Sequence, residues 1–433
     1  MSDLLAQCLT LLRQQSVEAY IVGGTVRDQL LGRKSHDIDL VVPRDALPVA
    51  RILANQLGGA FYPLDAERET GRIVMPDRAT IDIALMRGAT IADDLAARDF
   101  TINAMARSVH DPDLTDLIDP HRGADDLRAR VVRAVSPHSF TADPLRLLRA
   151  VRLAAELQFI IESATEKWMR QDAALVAQTS DERVRDEIAR MLLTRDATQS
   201  LRALQAYGLL SLVLPNARQD DDTQTTISQF EQLLVALDVA GGIPSALQPV
   251  AQTYGALLRE YGAMELTGER PRWLMLKLSL SYDTGESFMA DLNALKFSRH
   301  EIEFARALLR HRERFAQLAP PIDALAAHRF FRDTGAAALG LIMLALGHAL
   351  DTPRIAQTAA IAATLLNAYT NDYERVIKPS PLLSGAELAD RFGLQGAHIG
   401  ETLKALIEAQ VSGVITTRED AERYLPSAIG DIR

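Results

Sequence analysis

The sequence predicts an α+β protein: a mixed sheet with packed helices over residues 1–122, followed by an all-helical remainder. Three observations lead there. The β-rich runs AYIVGG, DIDLVV, RIVMP and ATIDIALM all end before Arg87. After Arg122 strand signals nearly vanish, and apolar residues recur at three- and four-residue spacing to the C-terminus. At 433 residues the chain also exceeds what one hydrophobic core usually serves, so several domains are expected. The expected division is 1–122, 123–195, 196–300 and 301–433.

Taken in order, residues 4–14 place leucines at helical spacing. AYIVGG reads as a strand ending in a glycine pair, and DIDLVV as a strand stopped by Pro43. ALPVARILANQLG reads as a helix. RIVMP and ATIDIALM, with Pro-Asp between them, form a hairpin signal. ADPLRLLRAVRLAAELQF, SDERVRDEIARMLL and SLRALQAYGLLSLVL are amphipathic helical patterns. Later helices are separated by links near Gly241–Pro244, Pro320–Pro321 and Lys378–Pro381.

Composition narrows the class. A single cysteine, Cys8, excludes a disulfide framework and fits a reducing cytoplasm. The N-terminus lacks a basic segment ahead of a long apolar run, so it does not read as a signal peptide. GAAALGLIMLALGHAL, from Gly335, is short and Ala/Gly-rich and reads as a buried helix, so no membrane partner is expected. The net charge of −10 excludes a generally basic surface. Locally the balance reverses: Arg122 to Arg152 holds seven arginines against three aspartates. That admits a solvated helix face or a site for anions.

The chemistry concentrates in a few motifs. Asp37 and Asp39 are two apart in a strand, so their carboxylates share one face. Such a pair repels unless a cation intervenes, and oxygen ligands of this kind suit Mg²⁺ beside substrate phosphates. A D-x-D on an exposed strand face is the plainer alternative. Gly23 and Gly24 end the preceding strand, where missing side chains let backbone N–H groups approach phosphate oxygens. Arg27 and Asp28 follow on the first turn of an expected helix, where anions are favoured. Arg27 is suited to a phosphate, or to Asp28 or Asp37. Asp82, between Ile81 and Ile83, faces away from the core if those isoleucines face into it.

In ARDFTINAMA, Asp99 and Asn103 are four apart and would share a helix face, beside Arg98; a simple capped helix is the alternative. Asp143, Arg146, Arg149 and Arg152 are spaced by three along one helical pattern. An acceptor and a rigid donor side by side, Asp143 and Arg146, suit the Watson–Crick edge of a base; a surface ion pair is the alternative.

With these motifs together, the chain resembles the class II tRNA nucleotidyltransferases, or CCA-adding enzymes, of the superfamily that includes bacterial poly(A) polymerases. The resemblance rests on VGGTVRDQLLG with DID, RDFTINAMA, LIDPHRGADDLRARVVRAV, DPLRLLRAVRLAAELQF and SDERVRDEIARML, and more loosely on LKFSRHEIE and the C-terminal LSGAELADRF region. It implies a nucleotidyltransferase head, then a helical neck, body and tail, the last two gripping the tRNA acceptor arm. It implies CTP and ATP as substrates, two Mg²⁺ ions and release of pyrophosphate. By position, Asp37 and Asp39 match the metal-binding aspartates; Asp82, a candidate from its strand pattern alone, is expected to assist as third ligand or base. Gly23, Gly24, Arg27 and Asp28 match the triphosphate-binding turn. Arg98, Asp99 and Asn103 match the motif at the sugar and phosphates. Asp143 and Arg146 match the template that pairs with the incoming base, and Arg149 and Arg152 match triphosphate-binding arginines.

The chain departs from the family pattern in three places. Ala142 stands where the template motif usually has Glu, and Ala97 stands where Arg-Arg-Asp-Phe-Thr has its first Arg. The segment MRGATIADDLAARDF is short, without the flexible loop of full CCA-adding members. In the family that loss accompanies enzymes that add only CC. No His-Asp phosphohydrolase signature is intact, because PRWLMLKLSLSYDTG lacks the histidine. The rivals are a poly(A) polymerase, which usually carries a basic tail unlike SAIGDIR, an RNA-binding protein that kept the fold, and a small-molecule transferase. Oligomeric state is left open.

Overall fold

The computed structural model describes residues 3–33, 37–65, 69–194, 196–238, 244–268 and 270–430. Of the Gly241–Pro244 link, residues 241–243 lie outside these. The chain forms two compact units, Met1–Thr194 with Gln199–Val213, and Arg195–Thr198 with Leu214–Arg433.

The first unit begins with α1 (Asp3–Gln14), β1 (Tyr20–Val22), α2 (Gly23–Leu30), β2 (Asp37–Val42), α3 (Ala46–Leu57), β3 (Ala60–Asp65), β4 (Thr70–Val74), β5 (Thr80–Leu85), α4 (Ile91–Ala96) and β6 (Ala106–Ser108). The six strands make one sheet in the order β3-β4-β5-β2-β1-β6. β2 and β5 pair in parallel, with Asp39 opposite Asp82 and Asp37 opposite Thr80. The other neighbours pair antiparallel, and β4–β5 is the expected hairpin.

Strand alternation explains which face holds what. Ile38, Leu40, Ile81 and Ile83 are buried in a core with Leu5, Leu9 and Leu12 of α1 and Val49 and Leu53 of α3. Burying each such side chain contributes on the order of 2 kcal/mol. A one-residue register slip would expose the whole set, so the register is firmly specified. The aspartates therefore take the opposite face. There a smaller core of Val22, Val41, Leu95, Ala104 and Ala106 continues along the sheet.

Two strands escape the periodicity argument. β3 carries Pro63 and lies at the sheet edge, with Tyr62 and Leu64 exposed. Proline is tolerated there because no ladder bond is needed on the outer side. β6 is only three residues long. RDFTINAMA is a correction: in place of a helix, Phe100 bridges Ala134 and a 3₁₀ turn spans Thr101–Asn103.

The unit continues through α5 (Gly123–Ala129), β7 (Val131–Val132), α6 (Ser139–Ala142), α7 (Arg146–Leu157), β8 (Ile160–Ile161), α8 (Ser163–Asp172) and α9 (Asp181–Leu192). The parallel β7–β8 pair interrupts the expected all-helical run. Asp143 is a second correction. It stands outside α7 in extended backbone, φ −150° and ψ 102°, with Pro144 following.

The second unit is largely helical, apart from a short β9–β10 pair at Glu265–Thr267 and Arg270–Pro271. Lys277 and Glu231 form a buried ion pair at 2.9 Å. Leu383, Leu388, Leu406, Ile415 and Leu425 form a separate C-terminal core. The stretch Ala324–Ala349, with mean hydropathy 1.4, is long and apolar enough to cross a membrane, yet 67% of its most apolar window is buried inside the protein.

Candidate active site

One cavity of about 400 Å³ in the first unit gathers most of the residues singled out from sequence. It is lined by Gly23, Gly24, Asp39, Asp82, Arg98, Asp99, Asn103, Asp143, Arg146 and Arg149, together with Arg87, Asp94 and Arg183.

The floor is the polar face of β2 and β5. Thr25 on α2 receives the Asp39 N–H at 2.7 Å and so ties the helix to the strand. Asp37 does not line this cavity: it sits at the exposed strand end, where its Oδ1 accepts from the Thr80 hydroxyl at 2.6 Å. Asp82 receives the Arg72 guanidinium on both oxygens, at 2.8 and 2.7 Å. Burial raises the pKa of Asp39 above the usual carboxylate value. The neighbouring Asp82 and Asp37 add to the rise, while Arg98 and the Gly24 N–H oppose it. At an effective dielectric near 20, unit charges 4 Å apart interact by about 4 kcal/mol, so one arginine does not offset two carboxylates plus burial.

The glycine pair keeps this floor open. Gly23 has φ +65°, and a Cβ there would lie 3.0 Å from Arg98 Nη1 and 3.2 Å from Asp39 Oδ2. A Cβ on Gly24 would lie 3.4 Å from the same Asp39 oxygen. Clustered carboxylates with a raised Asp39 pKa have the chemistry to fit a divalent cation, which Asp37 and Asp39 would hold. Among the described residues no group of three or more ligating side chains forms a closed metal site.

The walls are built from ion pairs. Asp99 receives Arg149 Nε and Nη2 at 3.0 and 2.7 Å, Asn103 Nδ2 at 3.1 Å and the Phe100 N–H at 2.8 Å. Burial alone would raise Asp99, but the Arg149 charge and these donors outweigh it and hold the carboxyl well below its ordinary value. Arg149 is raised in turn, chiefly by Asp99. Arg27 pairs with Asp28 at 2.9 Å and donates to Asn103 Oδ1 at 2.8 Å, at the cavity edge. Arg98 donates to buried Asp94 at 2.9 Å.

Arg146 is held by main chain: Nη2 donates to Ala97 O at 2.7 Å, and Nη1 to Arg98 O at 3.1 Å and Ser139 O at 3.4 Å. Burial lowers its pKa. Asp143 accepts from the Leu145 N–H at 3.2 Å and from Arg183 Nη2 at 2.9 Å. Arg152 is set apart. It is buried outside the cavity, donating to Glu187 at 2.6 Å and Glu156 at 2.7 Å.

Sequence reasoning missed Arg72, Arg87, Asp94 and Arg183. The four-residue spacing of Asp94 and Arg98 was a readable signal. Arg183 lies 40 positions from its partner, and although SDERVRDEIARML carried part of the resemblance, no local spacing linked it to Asp143.

Comparison with known proteins covers nearly the whole chain. The family described as "Poly A polymerase head domain" matches residues 19–133, and "Probable RNA and SrmB- binding site of polymerase A" matches residues 158–220. A CC-adding tRNA nucleotidyltransferase of Geobacter sulfurreducens is 34% identical over 426 residues, covering 96% of this chain and 93% of the relative. An A-adding tRNA nucleotidyltransferase of Deinococcus radiodurans is 33% identical over 430 residues, covering 94% of each. A solved CCA-adding enzyme with CTP shares the fold, with TM-score 0.70 at 23% identity over 100% of this chain and 95% of the other. End-to-end identity at this level, on a chain where Asp39, Asp82, the glycine pair, Arg98, Arg146 and Arg149 line one cavity, makes it an enzyme of the class II CCA-adding tRNA nucleotidyltransferase and bacterial poly(A) polymerase family.

Proposed function

We propose that the chain extends the tRNA 3′ end from CTP and stops at CC. The observation that carries this reading is the link from β5 to α4. It is five residues long, Met86 to Thr90, and tied down along its length. Met86 N–H donates to Val42 O at 2.8 Å and Arg87 N–H to Asp94 at 3.0 Å. The Ala89 and Thr90 N–H groups donate to Asp93, which closes a capping box on α4. A segment so short and so bonded has little slack to reshape the cavity for ATP. The Geobacter sulfurreducens relative is a CC-adding enzyme and the Deinococcus radiodurans relative, almost as similar, an A-adding one, so the reading stands on this link.

In the proposed reaction the tRNA 3′-hydroxyl attacks the α-phosphate of CTP in line, and pyrophosphate leaves. Asp37 and Asp39 would hold Mg²⁺, which supplies positive charge to the attacking oxygen and the triphosphate. Asp82, engaged by Arg72, serves as a fixed charge beside Asp39. The Gly23–Gly24 turn gives the triphosphate room, and Arg98, Arg149 and Arg27 meet its charge. Asp143 accepts from the cytosine amino group and Arg146 donates to the ring, so a uracil leaves both unpaired. Positioning and charge therefore supply most of the rate. On this reading residues 1–122, 123–195, 196–300 and 301–433 are head, neck, body and tail, the last two holding the tRNA acceptor arm in the cytoplasm.

The test is product length. tRNA ending at its discriminator base is incubated with labelled CTP, with and without ATP. Growth by two residues in both cases is expected. Growth by three with ATP, or by one A on tRNA already ending in CC, would overturn the CC assignment.

A further inference from the structure

The pair proposed to read the base is not held by its own helix. Asp143 precedes α7 in extended backbone, so no helical geometry fixes its side chain. Two donors fix it instead. The Leu145 N–H engages Oδ1 at 3.2 Å and Arg183 Nη2 engages Oδ2 at 2.9 Å. With one donor on each oxygen the plane of the carboxylate is set. Each oxygen keeps a free lone-pair direction for a further donor. Without Arg183 the group would hang on one neutral hydrogen bond and be free to turn about it.

Arg183 comes from α9, which also braces the arginine row of α7. Glu187, one turn further along α9, receives Arg152 at 2.6 Å and lies 3.7 Å from Arg149. One rigid helix thus supplies a cation to the acid of the reading pair and an acid to the arginines behind it. The Glu that family members place before the template aspartate is Ala142 here. Backbone carbonyls hold Arg146 in this chain, and α9 holds Asp143.

We propose that Arg183 is a positioning residue for nucleotide choice: it locks the Asp143 carboxylate as an oriented acceptor for the amino group of the incoming base. The inference rests on the proposed base-reading role of Asp143. A cytosine offers an amino donor to that acceptor. A uracil offers a carbonyl, which a fixed carboxylate repels and a freely turning one tolerates.

The full-length chain is compared with Arg183→Ala, Arg183→Lys, Asp143→Ala and the Ala/Ala double variant. Two measurements are made: kcat and KM for CTP and UTP on tRNA, and equilibrium binding of CTP and UTP without tRNA. Because Arg183 is about half exposed, Arg183→Ala is expected to raise the CTP KM by about threefold to fivefold, with kcat within about twofold. UTP is affected little, so selectivity falls by a similar factor. Arg183→Lys recovers part of it, and the double variant is no less selective than Asp143→Ala. Equal weakening of CTP and UTP would make Arg183 a phosphate contact and overturn the inference. A lower melting temperature with unchanged selectivity would make it structural and overturn it too. If the wild-type chain fails to extend tRNA, the functional reading falls, while the binding arm still tests Arg183 through the preference for CTP. A wild-type chain that binds both nucleotides alike overturns both.

Discussion

The two ends of the cavity are built on opposite electrostatic principles. At the floor, Asp39 stands opposite Asp82 on parallel strands with Asp37 beside it, and its pKa is raised by burial and by those neighbours. At the wall, Asp99 and Arg149 form a two-bond ion pair, and each favours the charged form of the other. The floor is an unbalanced cluster that a divalent cation would relieve. The wall is balanced within the protein and stabilises the fold before any substrate arrives. Function and stability therefore separate by position: altering the floor should cost activity, and altering the wall should cost stability.

The sharpest way to break this comparison is Asp39→Asn. It removes a proposed metal ligand and is expected to lower CTP incorporation by about a thousandfold or more, roughly 4 kcal/mol of transition-state stabilisation. Stability without Mg²⁺ should stay the same or rise slightly, because the variant removes like-charge repulsion. Added Mg²⁺ should raise the melting temperature of the wild type and not of the variant. Near-normal turnover, or a stability loss matching that of a wall variant, would end the distinction.

Asp99→Asn tests the wall. It leaves Arg149 without its main partner and is expected to destabilise the protein by about 3 kcal/mol at pH 7. The pH dependence has a definite sign. The folded pKa of Asp99 is depressed, so its contribution is complete above the unfolded value of about 3.9 and is lost as pH falls through the folded one. Urea midpoints of wild type and variant should differ most at neutral pH and converge as the solution is acidified below about 4. A gap that widens on acidification would contradict the pairing.

The smallest effect concerns the turn above the floor. Gly23→Ala forces a side chain into a left-handed backbone, at about 1–2 kcal/mol, and crowds Arg98 and Asp39. The CTP KM should rise by about tenfold, with a smaller change in kcat. Gly24→Ala meets its neighbours only at 3.4 Å and beyond, so it should be milder on both counts. Reversal of that order would mean that the turn does not border the bound triphosphate.

What the sequence made legible was whatever depends on local spacing. Alternation in DIDLVV and ATIDIALM identified two strands and put Ile38, Ile81 and Ile83 inward, which turns the three aspartates to the opposite face. The Gly-Gly step was readable because only small residues suit that turn, but the helix begins on Gly23 itself, which puts Arg27 in its last turn rather than the expected first. The longer amphipathic helices were readable from apolar period. β3 was not, because Pro63 and an exposed edge erase the alternation. The turn at Thr101–Asn103 was not, because the segment is fixed by remote partners: Thr101 donates to Asp126 at 2.6 Å, and its N–H to Arg133 O at 2.9 Å.

Tertiary structure alone decided how the charged groups pair. Three-residue spacing predicted one row for Asp143, Arg146, Arg149 and Arg152, yet Asp143 stands outside the helix and each found a different partner. Asp143 met Arg183, Arg146 met the carbonyls of Ala97 and Arg98, Arg149 met Asp99, and Arg152 turned to Glu187 away from the cavity. The physical reason is range. Backbone periodicity is written within a few residues, whereas a buried charge is stabilised by whichever opposite charge or carbonyl the fold brings within about 3 Å, wherever in the chain it lies.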